Sequence, residues 1–108
     1  MDKFTIDEMQ EMQKILQEKY KDKWEPICAE IGQNKLLWMI GEIGEVIDII
    51  KKNGGKKAAE DEIIRASLVE EMADVLMYFN DVMLCYGITE GEIKNAYIDK
   101  FERNMKRW

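Results

Sequence analysis

Apolar residues recur three or four positions apart along most of this sequence, and no segment alternates apolar with polar residues long enough to suggest a strand. Such spacing gathers apolar side chains on one face of a helix, which can then pack against other helices. The sequence therefore predicts an all-α chain. Because 46% of its 108 residues are hydrophobic and 35% are charged, we expect one domain spanning residues 1–108.

Two capping boxes predict where the first and the last helices begin. In such a box, a threonine and a glutamate three residues later satisfy backbone N–H groups at the start of a helix. Thr5 and Glu8 form the first box. Thr89 and Glu92 form the second, and the helix that follows continues almost to the end of the sequence. The first helix should end near Pro26. Its apolar stripe consists of Met9, Met12, Leu16 and Tyr20.

Two longer helices are predicted in the middle of the sequence. The second helix should run from a cap at Asn34 to about Lys52, where an Asn-Gly-Gly sequence ends it. A polar loop of about ten residues follows. The third helix should run from near Asp61 to about Tyr86, with the next glycine as its stop signal. Four helices joined by short loops predict an antiparallel four-helix bundle, and a helical chain this short often extends its core by oligomerising.

Two glutamates interrupt an otherwise apolar part of the second helix, WMIGEIGEVIDII at residues 38–50. Glu42 and Glu45 are three positions apart, so they share one stripe of the helix. Trp38 and Ile49 lie above and below them on the same stripe. This environment is unfavourable for two negative charges.

The third helix repeats this arrangement. Glu71 and Asp74 are three positions apart in LVEEMADVLMYFNDV, and Tyr78 and Asp81 extend their stripe. Buried carboxylates are costly unless they are protonated, paired with a basic side chain or bound to a cation. The nearest lysines and arginines lie at the helix ends, where they cannot pair with Glu45 or Asp74 at helical spacing. Cation binding is therefore the favoured explanation.

Oxygen is the ligand atom that this sequence can offer a metal. It contains no histidine, and Cys28 and Cys85 are too few for a zinc site or a disulfide framework. Oxygen ligands select Mg²⁺, Mn²⁺ or Ca²⁺, and Mg²⁺ commonly binds carboxylates together with water and substrate phosphates. The alternative is that the acids lie on solvated helix faces. Two such pairs on consecutive apolar helices favour a metal site with a triphosphate ligand.

The charge distribution limits the partners of the chain. A formal net charge of −6 argues against binding to a nucleic acid polymer, which relies on clustered lysine and arginine. Basic residues do concentrate in residues 51–57 and 100–107, where they could hold a small polyanion against a metal. The sequence has no signal peptide and no apolar segment of membrane-spanning length, so we expect a cytoplasmic protein without a membrane partner.

The two acidic pairs, Glu42-x-x-Glu45 and Glu71-x-x-Asp74, resemble the signature of the MazG-like all-α nucleoside triphosphate pyrophosphohydrolase superfamily. Three longer segments also resemble the three sequence motifs of this family, in the same order and with similar spacing. Together they cover about the last two thirds of the chain. These segments are LLWMIGEIGEVIDIIKK, VEEMADVLMYFNDVMLCYGI and AYIDKFERNMKR.

The resemblance implies Mg²⁺-dependent hydrolysis of a nucleoside or deoxynucleoside triphosphate between the α and β phosphates, with Mn²⁺ as a substitute. It implies that Glu45 also orients or deprotonates the attacking water. Lys100 and Asn104 match a Lys-x-x-x-Asn element that contacts phosphate or sugar, and Tyr78 would form a wall of the nucleotide pocket. The implied assembly is a homodimer or homotetramer whose subunits share active sites. The implied metal ligands are Glu42, Glu45, Glu71 and Asp74.

Several alternatives remain open at this point. Lys100 and Asn104 also fit an ordinary exposed helix face, and Tyr78 fits a core aromatic with a satisfied hydroxyl. Many relatives carry adjacent glutamates where this chain has Gly41 followed by Glu42, so one acid of the usual cluster is absent. A non-catalytic module that binds nucleotide or metal, and a helical dimerisation module, are the alternative functions. The sequence leaves the base and the sugar of the substrate undetermined.

Overall fold

The computed structural model of this chain describes residues 2–107, in which it has five α-helices, one 3₁₀ turn at Ala29–Ile31 and no strand. The all-α prediction is confirmed. The predicted number of four helices is wrong, because the segment expected to be a loop contains a short helix. The helices are α1 Ile6–Lys19, α2 Gly32–Asn53, α3 Gly55–Glu60, α4 Glu62–Cys85 and α5 Glu90–Arg107.

Both capping boxes form as predicted. The backbone N–H of Glu8 donates to Thr5 Oγ1 over 3.2 Å, and the N–H of Thr5 donates to Glu8 Oε1 over 3.0 Å. Thr89 and Glu92 repeat these two bonds at the start of α5, with distances of 3.2 and 3.1 Å. Such reciprocal bonds satisfy donors that a helix start leaves without partners. The boundaries of these helices are therefore fixed locally.

The short helix α3 lies between the residues that end α2 and the residue that caps the start of α4. Asn53 Nδ2 donates to the carbonyl of Ile49 over 2.8 Å, and Gly54 takes a φ of +85°, which ends α2. Asp61 then caps α4 by accepting two backbone N–H bonds of 3.0 and 3.1 Å. Ala58 is the buried side chain of the six residues between them. With one apolar anchor, α3 is too short to show a helical period in the sequence.

The helix α2 begins at Gly32, two residues before the predicted cap. Gly32 lies against the ring of Tyr86, and a Cβ atom at this position would overlap the ring unless the tyrosine side chain moved. Asn34 lies inside the helix, and its Nδ2 donates to Glu25 Oε2 over 3.0 Å instead of capping. The start of α2 therefore lies beside the end of α4, which makes the two long helices antiparallel.

The packing of the five helices is uneven. The two long helices α2 and α4 pack along their length, and α1 and α3 pack against α4. In contrast, α5 packs extensively on no other helix of the described chain. The radius of gyration is 16.3 Å, whereas a compact domain of this size has about 13 Å. The predicted four-helix bundle is thus wrong for the last helix. No helix within residues 2–107 combines the length and the apolar character needed to cross a membrane.

The helix α1 buries polar residues rather than its apolar stripe. Gln10, Gln13 and Gln17 are its buried residues, whereas Met12 remains 52% exposed. The glutamines are spaced by three and four positions, so they form one face of the helix. This face is the one that α1 presents to α4. Buried polar side chains need hydrogen-bond partners, and Gln10 and Gln13 donate to the carbonyl of Ile88 and to Asp81.

Candidate metal centre and adjacent cavity

Three carboxylates meet where the middle of α2 faces α4. One oxygen of each carboxylate lies within 4.8 Å of one oxygen of each of the others. Glu42 and Glu71 are half-buried, and Glu45 is exposed. The antiparallel register creates this group, because it places Glu42 and Glu45 of α2 opposite Glu71 of α4. We call Glu42, Glu45 and Glu71 the acidic cluster.

Two carboxyls of the acidic cluster, those of Glu42 and Glu71, have raised pKa values. A hydrogen bond with Glu45, which forms only when the pair carries a proton, is the largest cause that raises the pKa of Glu71 to about 7. Desolvation and the neighbouring acids contribute in the same direction. The pKa of Glu42 is also raised, first by desolvation and then by the charge of Glu45. Hydrogen bonding, desolvation and neighbouring negative charge together oppose ionisation of Glu71 and Glu42.

The described residues place no basic charge against Glu42 or Glu71. Within residues 2–107, no lysine or arginine charge lowers the pKa of Glu42 or Glu71. Moreover, Glu71 Oε2 is buried and has no hydrogen-bond donor in this part of the chain. Buried carboxylate oxygens are normally paired or bound to a cation. Three oxygen donors without histidine or cysteine fit a divalent cation such as Mg²⁺.

Asp74, the fourth predicted ligand, lies at the edge of the acidic cluster and outside the group within 4.8 Å. Its charge is one of the smaller causes, after those given above, of the raised pKa values of Glu42 and Glu71. Asp74 also lines a neighbouring cavity of about 350 Å³. The structure therefore brings three of the predicted ligands together and leaves the fourth between the cluster and the cavity.

This cavity extends from Asp74 to Asp81, two turns further along α4. Tyr78 lies between them, and burial followed by the charges of Glu42, Asp81 and Asp74 raises its pKa. Tyr78 thus lines the cavity, and its role as a wall of a nucleotide pocket stays a prediction. The other walls come from α1, α2 and the segment between them. They include Gln13, Gln17, Trp24, Lys35 and Trp38.

The inner end of the cavity contains a charge-balanced group. Gln13 Nε2 donates to Asp81 Oδ1 over 2.9 Å, and both residues are buried. Burial raises the pKa of Asp81, and this effect is opposed by the Gln13 bond, then by the charge of Lys35 and then by Gln17. The sequence reasoning missed the roles of Lys35 and the two glutamines. The helical spacing of the glutamines in the first helix is the signal that could have found them.

The two predicted contacts on the last helix lie elsewhere in the chain. Lys100 and Asn104 are exposed on α5, where they line a shallow surface depression with other basic residues. None of the acidic residues lines this depression. Because α5 packs extensively on neither long helix, a single chain does not bring these residues to the acidic cluster.

Most of the chain matches a family of known proteins. Residues 32–107 match the MazG nucleotide pyrophosphohydrolase domain, and this segment is more than half of the sequence. It includes the acidic cluster, Asp74 and α5, whereas α1 lies before it. No curated protein and no solved structure matches the chain.

Proposed function

This chain belongs to the MazG nucleotide pyrophosphohydrolase family, and we propose that it hydrolyses a nucleoside or deoxynucleoside triphosphate between the α and β phosphates. The products are the monophosphate and pyrophosphate. One observation supports this most directly: the acidic cluster, for which the described residues supply no basic partner, lies within the segment that matches the family. Carboxylates in this setting serve a reaction that mainly requires positioning and charge neutralisation.

Mg²⁺ is the proposed cofactor, with Mn²⁺ as a substitute. Glu42, Glu45 and Glu71 would hold it, and Asp74 at their edge would be the fourth ligand. The buried Glu71 oxygen without a donor and the raised pKa of that carboxyl fit such an ion, because a cation would replace the proton. When bound, the ion supplies positive charge that neutralises phosphate oxygens.

Glu45 is the proposed residue for the attacking water. It is the exposed member of the acidic cluster, so solvent can reach it while the other two carboxylates remain half-buried. A carboxylate in this position can orient a water molecule and accept its proton. Tyr78, on the adjacent wall, limits the space available to the substrate.

We further propose that the enzyme is a homodimer or homotetramer in which α5 of one subunit completes the site of another. Large apolar side chains of α5 are exposed, with Tyr97 at 76%, Phe101 at 58% and Met105 at 70%. An isolated helix with such a face gains stability by packing against another surface. Lys100 and Asn104 would then reach phosphate or sugar bound to a partner's acidic cluster.

The reaction is tested by incubating the purified chain with nucleoside triphosphates, with and without Mg²⁺. The assay separates monophosphate plus pyrophosphate from diphosphate plus phosphate. We expect Mg²⁺-dependent pyrophosphate release that Glu45→Gln abolishes. Asp48→Asn is the matched control, because Asp48 is an exposed acid of the same helix outside the acidic cluster.

Two negative results would separate the alternatives. Nucleotide or Mg²⁺ binding without turnover, detected as a rise in melting temperature, would support a non-catalytic regulatory module. No response to nucleotide or Mg²⁺ would leave a helical dimerisation module. Formation of diphosphate and phosphate would contradict the proposed position of cleavage.

The shared site is tested by mixing two inactive variants, Glu45→Gln and Lys100→Ala. If sites form between subunits, mixed dimers contain one site with both native residues, and about a quarter of the wild-type activity should return. If each chain holds a complete site, the mixture stays inactive. Sedimentation provides a second check, because a fully active species of 12.7 kDa would exclude shared sites.

A further inference from the structure

The two cysteines of the sequence, Cys28 and Cys85, take no part in the proposed reaction. Cys28 immediately precedes the 3₁₀ turn at Ala29–Ile31, and Cys85 is the last residue of α4. Both thiols are free in this structure. Because the two residues are far apart in the sequence, only tertiary packing can bring them together.

Packing holds the end of α4 against the segment that carries Cys28. The 3₁₀ turn contacts α4 as well as α2. Directly after the turn, Gly32 lies against the ring of Tyr86, the residue that follows Cys85. The two cysteines are therefore located on the two sides of one contact, where the start of α2 meets the end of α4.

The surroundings of the Cys85 thiol place it beside Cys28. Burial is the largest cause that raises the pKa of Cys85, and a hydrogen bond with the backbone of Cys28 is the first effect that opposes it. The charge of the Cys28 thiolate is a smaller cause that raises the same pKa. Because the Cys85 sulfur lies next to the backbone of Cys28, rotation about χ1 of Cys28 can direct the second sulfur towards it.

The two thiols differ in how easily a reagent can reach them. Cys28 is half-buried, and its thiol donates a hydrogen bond to the carboxylate of Glu30, which is exposed. In contrast, Cys85 is only 6% exposed. The reactivity of a thiol depends on its exposure. A reagent from solvent therefore reacts first with Cys28, and Cys85 reacts with a sulfur that the fold has placed beside it.

We propose that Cys28 and Cys85 form a reversible disulfide when the chain meets a small disulfide such as oxidised glutathione. The Cys28 thiol loses its proton, and its sulfur attacks one sulfur of glutathione disulfide and releases one glutathione thiolate. The Cys85 thiolate then attacks the Cys28 sulfur of this mixed disulfide and releases the second glutathione. Two protein thiols are oxidised, one glutathione disulfide is reduced, and the two protons end on the two released thiols.

The bridge would attach the segment between α1 and α2 to the end of α4. Trp24 and Glu25 belong to this segment and line the cavity beside the acidic cluster. Oxidation would thus fix one wall of the cavity while leaving the acidic cluster unchanged. In a reducing compartment such a disulfide is usually transient and serves redox sensing. The proposal does not depend on the proposed function, because none of its steps uses the acidic cluster.

The test treats the full folded chain with excess oxidised glutathione, blocks the remaining thiols and measures the intact mass. We expect each chain to lose two hydrogen atoms without gaining glutathione, and to migrate as a single chain on a non-reducing gel. Dithiothreitol should restore both thiols. The melting temperature of the oxidised chain should exceed that of the reduced chain by about 10 °C, because the bridge closes a long loop. Amide hydrogen exchange should slow within residues 20–31 and stay unchanged in α5.

Two substitutions and one change of solvent separate proximity from simple thiol reactivity. Cys85→Ala should stop at the mixed disulfide, because Cys28 still reacts but meets no second thiol. Cys28→Ser should leave Cys85 unmodified, because burial protects that thiol. In concentrated urea the fold no longer holds the two residues together. The ratio of bridge to mixed disulfide should therefore fall by about 10-fold or more in the unfolded wild-type chain.

The proposal is overturned if the folded wild-type chain accumulates the mixed disulfide, links to a second chain or keeps both thiols free. It is also overturned if urea leaves the yield of the bridge unchanged, or if Cys28→Ser is modified at Cys85 as fast as the wild-type chain reacts. The wild-type chain and Cys28→Ser keep the test decisive if Cys85→Ala does not fold.

Discussion

Two parts of the contact between α2 and α4 contain carboxylates with raised pKa values, yet they differ in how the charge is compensated. Near the start of α2, Asp81 is buried, but it accepts a hydrogen bond from Gln13 and lies near the charge of Lys35. At the middle of α2, the charged neighbours of the acidic cluster are its own members and Asp74, and no basic charge among the described residues lowers the pKa of Glu42 or Glu71. The described chain therefore compensates the charge of Asp81 and leaves that of the acidic cluster uncompensated.

The carboxylate of Asp81 and those of the acidic cluster therefore suit different uses. A carboxylate with its own donor and cation is held in place by the protein itself, before any ligand arrives. Carboxylates that repel one another are less stable in the free protein, which suits binding of a cation. The following changes test this contrast, from the largest expected effect to the smallest.

Glu71→Gln should have the largest effect. We expect a loss of roughly 100-fold or more in kcat/KM, the scale found when one group that stabilises transition-state charge is removed. Without Mg²⁺, the same variant should melt at a higher temperature than the wild type, because one of the mutually repelling charges is gone. Enzyme assays and thermal melts check the two effects. Glu70→Gln, an exposed acid next to it in sequence, should change neither.

Lys35→Met tests how the charge of Asp81 is compensated. Lys35 and Asp81 are both buried, so the substitution leaves a buried carboxylate without its cation. The free energy of unfolding should fall by about 2 kcal/mol. Urea denaturation measures the loss, and Lys51→Met serves as an exposed control on the same helix. Addition of Asp81→Asn to Lys35→Met should recover part of the stability, and additive losses would contradict the coupling.

The pH dependence of stability distinguishes the acidic cluster from an ordinary surface. The pKa of Glu71 is raised from 4.5 to about 7, so the folded chain keeps a proton that the unfolded chain has lost between these values. Without Mg²⁺, the melting temperature should therefore fall as pH rises through this window. Mg²⁺ replaces the proton, so its stabilising effect should be larger at high pH. A Glu71→Gln variant with an unchanged pH slope would refute this assignment.

Gly41→Ala should have the smallest effect. Gly41 lies in α2 beside the acidic cluster, and a Cβ there would meet no atom within 4 Å. Alanine should raise the free energy of unfolding by about 0.5–1 kcal/mol, because it restricts the unfolded chain and favours a helix. Denaturant titration measures the gain. Gly32→Ala is the contrasting case, because overlap with Tyr86 should make it destabilising.

Much of the fold was predictable because it depends on neighbours in sequence. The capping boxes at Thr5 and Thr89 and the cap at Asp61 formed where their side chains indicated. The start of α2 was misplaced because no side chain caps it: its N-cap position is Ile31, the last residue of the preceding 3₁₀ turn. The short helix α3 was missed because it has one buried anchor, Ala58.

The candidate site was predictable only in its residue types. The spacing of Glu42, Glu45, Glu71 and Asp74 indicated two acidic stripes, and the family match supports their use in a nucleotide pyrophosphohydrolase. Their individual roles stay predictions. The spacing did not indicate that Asp74 would lie outside the tight group, because that depends on the register of the two helices.

The sequence by itself determined the helices, most of their ends and the acidic pairs, because caps and three-residue spacings are local. Only the tertiary structure decided that Glu45 meets Glu71 and that Gln13 reaches Asp81, 68 residues away. It also left α5 and its basic residues outside the body formed by the other helices. Such contacts join residues far apart in sequence, and they follow from helix packing rather than from any local pattern.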